Sequence, residues 1–78
     1  MEKVVKMIND FLKSSKTNTK IRFTDGMFMN LKKHIKKQKY YLEIHTSGYD
    51  GTMEIKEALE WIKWTLYDYS ANGILKGI

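Results

Sequence analysis

The 78-residue chain has no cysteine and no proline, one arginine (Arg22) and two histidines (His34 and His45). Without cysteine, disulfides and thiolate-bound metals are excluded. Two histidines leave few side chains for proton transfer near neutral pH, and nothing spaces either one with a nucleophile. A zinc site would need carboxylates recruited from distant parts of the chain. Gly26, Gly48, Gly51 and Gly73 fall where turns or helix ends are expected, and their spacing does not cradle a phosphate. Asp50-Gly51-Thr52 is accounted for as a turn leading into a helix cap. The expectation is a protein that is not an enzyme, with no catalytic residue, no metal site and no cofactor.

Long apolar runs are also missing. Nothing approaches the roughly 20 residues needed to cross a bilayer, so no membrane partner is expected. The N-terminal stretch MEKVVKMINDFLKSSK is broken by Asn9 and Asp10 and lacks the apolar region and small-residue cleavage site of a signal peptide. The expected compartment is the cytoplasm. No internal repeat, low-complexity segment or linker divides the chain, and residues 1–78 are read as a single compact domain.

What the chain does have is an uneven charge. Its net charge is +5, with eleven basic and three acidic residues in 1–42 against three basic and six acidic residues in 43–78. Such a split suits a nucleic-acid face, a face for an acidic protein, or head-to-tail association of copies, and it also suits an ordinary solvated surface.

Apolar periodicity outlines the elements. Val4, Val5, Ile8, Phe11 and Leu12 form the stripe of an amphipathic helix, ended by the polar run Ser14 to Thr19. Lys20 to Thr24 reads as a strand, followed by Asp25-Gly26, a dipeptide suited to a tight hairpin. Met27 to Lys37 fits two readings. As a strand, Met27, Met29, Leu31 and Ile35 share a face with Lys33 as the exception; as a helix, Phe28, Leu31 and Ile35 align behind an Asp25 cap. The strand is preferred because turn and alternation agree. Tyr40, Leu42 and Ile44 mark a further strand. Thr46 to Gly51 reads as a turn and Thr52 as the cap of a helix from about Met53 to Ser70, closed by Asn72-Gly73. The predicted fold is α+β, ordered α-β-β-β-α, with a three-stranded antiparallel sheet and helices on one face. This order resembles double-stranded-RNA-binding domains in topology only, since Glu54, Lys56 and Glu57 stand where those domains carry a lysine cluster.

Two constellations point to binding. In the last helix, Ile55, Ala58, Leu59, Ile62, Leu66 and Tyr69 form the core stripe. Trp64 falls nearly opposite, with Glu57 and Glu60, and Trp61 and Tyr67 flank it. Aromatic residues on a polar helix face are characteristic of interface anchors, so Trp61, Trp64, Tyr67, Glu57 and Glu60 form a candidate partner-binding set. The competing reading buries Trp64 under the Ile74-Leu75 segment. The second constellation is the lysine-rich stretch from Leu31 to Lys39. On it and its neighbours, Arg22, Lys32, Lys36, Lys39 and Tyr41 form a candidate nucleic-acid-binding set, lysines for phosphates and tyrosine for bases. Lysines on strands also guard against edge-to-edge aggregation.

The segment from Tyr41 through Gly48-Tyr49-Asp50-Gly51 to Leu59, extended loosely to Trp61 and Trp64, resembles a pattern in small phage and mobile-element proteins. There a strand passes through a Gly-aromatic-polar-Gly turn into an acidic helix start followed by aromatics. Tyr49 stands where tryptophan is expected, and Lys56 where an aliphatic residue is usual. No activity is assigned to those proteins, so the resemblance transfers no functional residue. It implies a bacterial host cell as the setting and a binding or inhibitor protein that occludes a host protein or nucleoprotein complex, in an anti-defence or anti-CRISPR role for example. The alternatives are direct nucleic-acid binding through the lysine-rich segment, and a structural homodimer.

Overall fold

The computed structural model describes residues 2–23 and 26–75. Helix α1 (Glu2–Lys13) is followed by strands β1 (Asn18–Arg22), β2 (Phe28–Lys36), β3 (Lys39–Thr46) and β4 (Asp50–Glu54), and then by helix α2 (Ile55–Ala71). The strands form one antiparallel meander in the order β1-β2-β3-β4. The α+β class matches expectation. The strand count does not: four strands replace three, which also removes the topological likeness to double-stranded-RNA-binding domains.

The additional strand comes from the stretch expected to be a turn and a helix cap. The reversal after β3 is confined to Ser47-Gly48, closed by the Thr46 N–H donating to the Tyr49 carbonyl at 2.8 Å. Asp50 to Glu54 then pairs with β3, setting His45 opposite Asp50 and Ile44 opposite Gly51. Thr52 therefore lies in a strand and caps nothing. The residue preceding α2 is Glu54, whose side chain makes no capping bond, and the helix begins at Ile55.

Of segment 27–37, Phe28 to Lys36 forms a strand, as preferred, while Met27 precedes it and Lys37 belongs to the turn that follows. The neighbouring β1 runs from Asn18 to Arg22, beginning two residues before the expected Lys20, and Thr24 and Asp25 of the expected strand end and Asp-Gly turn lie outside the described residues. Gly26 takes a positive φ of 74°, which glycine adopts without steric penalty.

Alternation along the strands divides the sheet into two unlike faces. Ile21, Met29, Leu31, Leu42 and Ile44 are buried on one face against Val4, Ile8 and Phe11 of α1 and Ala58, Ile62, Leu66 and Tyr69 of α2. Lys33, the exception on this face, is accommodated by an interaction: its ammonium lies 4.5 Å from the Phe11 ring centroid and donates to the Ser14 carbonyl at 2.8 Å. The charge thus sits at the negative end of α1, where the helix dipole favours a cation. At the far end, α2 closes with the Ile74 N–H donating to Tyr69 and the Gly73 N–H to Ser70, at 2.8 and 3.1 Å. With Gly73 at φ 73°, this is the helix-ending motif that its Asn-Gly predicts. It turns Leu75 back into the core.

Candidate functional site

Helix α2 separates its aromatics by depth. Tyr69 is buried, with its ring 5.3 Å from that of Phe23 in an edge-to-face arrangement. Trp61 is half-buried, stacked on Tyr49 at 4.7 Å between centroids. Trp64 is 62% exposed and Tyr67 47% exposed, their rings 5.7 Å apart. Glu57 and Glu60 are exposed on the same helix, and the Lys63 ammonium lies 5.8 Å from the Trp64 ring centroid.

The candidate partner-binding set therefore divides. Trp64, Tyr67, Glu57 and Glu60 remain on the surface, whereas Trp61 turns toward the core. Burial of Leu75 leaves Trp64 uncovered. Leu59, expected in the core stripe, is 37% exposed and lines a groove of about 240 Å³ with Val5 between the two helices.

The other face of the sheet carries no helix, and none of its side chains is buried. Strand parity places all five members of the candidate nucleic-acid set on it: Arg22 on β1, Lys32 and Lys36 on β2, and Lys39 and Tyr41 on β3. Phe28 and Lys20 share this face. The basic character is not uniform, because Lys32 faces Glu43 across the ladder and the Lys39 ammonium lies 3.5 Å from the Glu54 carboxylate.

A chain of hydrogen bonds runs along the acidic side of this face. His34 Nε2 is 2.8 Å from Glu43 Oε1, His45 Nε2 is 2.5 Å from Glu43 Oε2, and His45 Nδ1 is 2.8 Å from Asp50 Oδ1. A neutral imidazole has one N–H, so both bonds of His45 form together only in the imidazolium form when the two carboxylates are ionised. Donating hydrogen bonds to Glu43, and secondly to Asp50, accordingly raises the His45 pKa above its ordinary value. Hydrogen bonding from His45, then from His34, lowers that of Glu43. No group of three or more His, Asp or Glu side chains among the described residues is arranged to hold a metal ion. No helix among them is long and apolar enough to cross a membrane.

A third surface was missed by the sequence reading. Ile35 and Tyr40 pair across the β2–β3 ladder on the core side of the sheet, yet they are 68% and 64% exposed. Parity assigned them to the core, but length does not: β2 spans about 30 Å, whereas the twelve residues of α1 span about 18 Å. The hairpin tip outruns its cover. The lysines that bracket the tip, Lys36 and Lys39, were the available signal that it is solvated. Beneath Ile35 and Tyr40 opens a cleft of about 940 Å³, lined also by Leu12 and Ile55.

No family model, curated protein or solved structure matches this chain.

Proposed function

We propose that this chain is a non-enzymatic binding protein that occludes a surface of a host protein or nucleoprotein complex, with the outer face of α2 as its contact. The observation that carries this reading is the exposed Trp64–Tyr67 pair, bordered by Glu57 and Glu60. A tryptophan left in water on a well-packed helix contributes little to folding, while desolvating it against a partner is favourable. Truncating such an anchor typically costs about 2 kcal/mol or more in binding, roughly a thirtyfold loss of affinity. The likeness of residues 41–64 to small phage proteins supplies the inhibitor role by association.

The test is affinity capture from bacterial lysate with the tagged chain, with and without nuclease. The proposal expects a discrete protein that survives nuclease and is lost with Trp64→Ala. A protein retained equally by Trp64→Ala, or captured material that disappears on digestion, contradicts it.

A second reading, direct nucleic-acid binding, is favoured by one observation: Arg22, Lys32, Lys36, Lys39 and Tyr41 share the uncovered sheet face. It ranks behind because Glu43, Asp50 and Glu54 share that face too. It expects the logarithm of affinity for duplex DNA to fall with the logarithm of salt by about 0.9 per phosphate neutralised. Binding that is insensitive to salt excludes it.

A further inference from the structure

The cleft under the β2–β3 hairpin is distinct from the α2 face and has its own chemistry. Its walls are apolar: Ile35 and Tyr40 from the protruding hairpin, Leu12 from the end of α1 and Ile55 from the start of α2. Its rim is basic, with four lysines, at positions 16, 33, 39 and 56, against the single carboxylate of Glu54. The Lys39 ammonium is 3.5 Å from that carboxylate and the Lys33 ammonium is held by the Ser14 carbonyl, so Lys16 and Lys56 carry the rim charge that faces a ligand. Two large apolar side chains about two-thirds exposed and paired on one ladder rung make an apolar patch at the mouth of a concavity.

We infer that this cleft binds an acidic amphipathic peptide segment of a partner protein, with apolar side chains in the cleft and carboxylates on the lysine rim. Charge complementarity selects the occupant. An apolar floor alone would accept any hydrophobic segment, but a rim of ammonium groups opposes a basic one and draws in an acidic one. Aliphatic walls favour a peptide over a nucleic acid: of the two tyrosines in the lining, Tyr41 pairs with His34 on the opposite face of the sheet, so the rings do not form a stacking platform on the cleft side.

The experiment is selection of a random 16-residue peptide library displayed on phage against the folded protein, followed by titration of the selected peptides as fluorescein conjugates. The expected consensus places apolar residues at i, i+3 or i+4, and i+7, flanked by Asp and Glu. Tyr40→Ser and Ile35→Ser should each weaken the conjugates about tenfold or more, and Lys16→Glu with Lys56→Glu should do likewise. Trp64→Ala should leave their binding unchanged, which separates this site from the α2 face. Because Ile35 and Tyr40 are exposed, their serine variants should keep the thermal midpoint, and circular dichroism checks this. Failure to select peptides, a consensus without acidic residues, peptides that still bind Tyr40→Ser, or displacement of the conjugates by single-stranded DNA at equimolar amounts would each overturn the inference.

Discussion

At the scale of single residues, exposure and backbone conformation set what each side chain can do. Lys37 and Gln38 form the two-residue turn between β2 and β3 with φ of 49° and 65°, a left-handed pairing usually given to Asn-Gly. A non-glycine residue there costs about 1–2 kcal/mol, and glycine returns part of that as unfolded-state entropy. Gln38→Gly should therefore stabilise the protein by about 0.5–1 kcal/mol, raising the thermal midpoint by roughly 2–8 °C. An unchanged or lower midpoint would show that the turn holds no such strain. His45 makes a second residue-scale prediction. Its raised pKa means its contribution is present below about pH 6.5 and is lost as pH rises through the folded-state value. For Glu43 the pKa is lowered, so its contribution is present above about pH 4.5 and is lost as pH falls through the folded-state value. The network is thus most stabilising between these limits. Thermal midpoints should decline as pH rises above about 6.5, and the decline should be shallower in His45→Gln. Identical profiles would remove the network from the account.

At the scale of elements, the two helices and β2 were legible because each buries a periodic apolar stripe. Strand β4 was not. None of its five residues is fully buried, so it has no alternation of apolar and polar side chains to read, and backbone pairing with β3 holds it. Two of its residues face inward: Met53 packs against the core, and the Tyr49 ring lies over Gly51, where an added Cβ would meet Tyr49 Cζ at 2.7 Å. The same ring stacks on Trp61, so the turn, the edge strand and α2 are joined through Gly51. Gly51→Ala should displace Tyr49 and cost about 1–3 kcal/mol, with a change in tryptophan fluorescence. If neither moves, Tyr49 is not packed as described. Of the candidate sites, the open-face set was legible from strand parity alone. Trp61 was misread because helical angle does not reveal that Tyr49 reaches over the sheet edge to cover it. The hairpin-tip cleft was invisible for another reason: no local pattern states how far a helix extends along a strand.

At the scale of the whole molecule, the charge split in the sequence becomes a gradient across one surface. The meander keeps strand order, so the uncovered face passes from Lys20 and Arg22 on β1 to Asp50 and Glu54 on β4. Histidines and Glu43 occupy the middle, bonded to one another. The most exposed large apolar side chains, Ile35, Tyr40 and Trp64, lie elsewhere, at the hairpin tip and on the outer side of α2. Charge on this molecule would govern approach and orientation, and the aromatic and aliphatic patches would govern residence.

The central claim is that α2 faces two ways, and comparison of Trp64→Ala with Leu66→Ala tests it most directly. Leu66 is 1% exposed and two residues away on the same helix. Thermal unfolding and capture of the partner should be measured for both. Leu66→Ala should lose about 2–5 kcal/mol of stability, a large part of what a domain of this size possesses. Trp64→Ala should unfold within a few degrees of the unaltered chain and fail to retain the partner. A Trp64→Ala protein as destabilised as Leu66→Ala, or one that is equally stable and still captures the partner, would contradict the account.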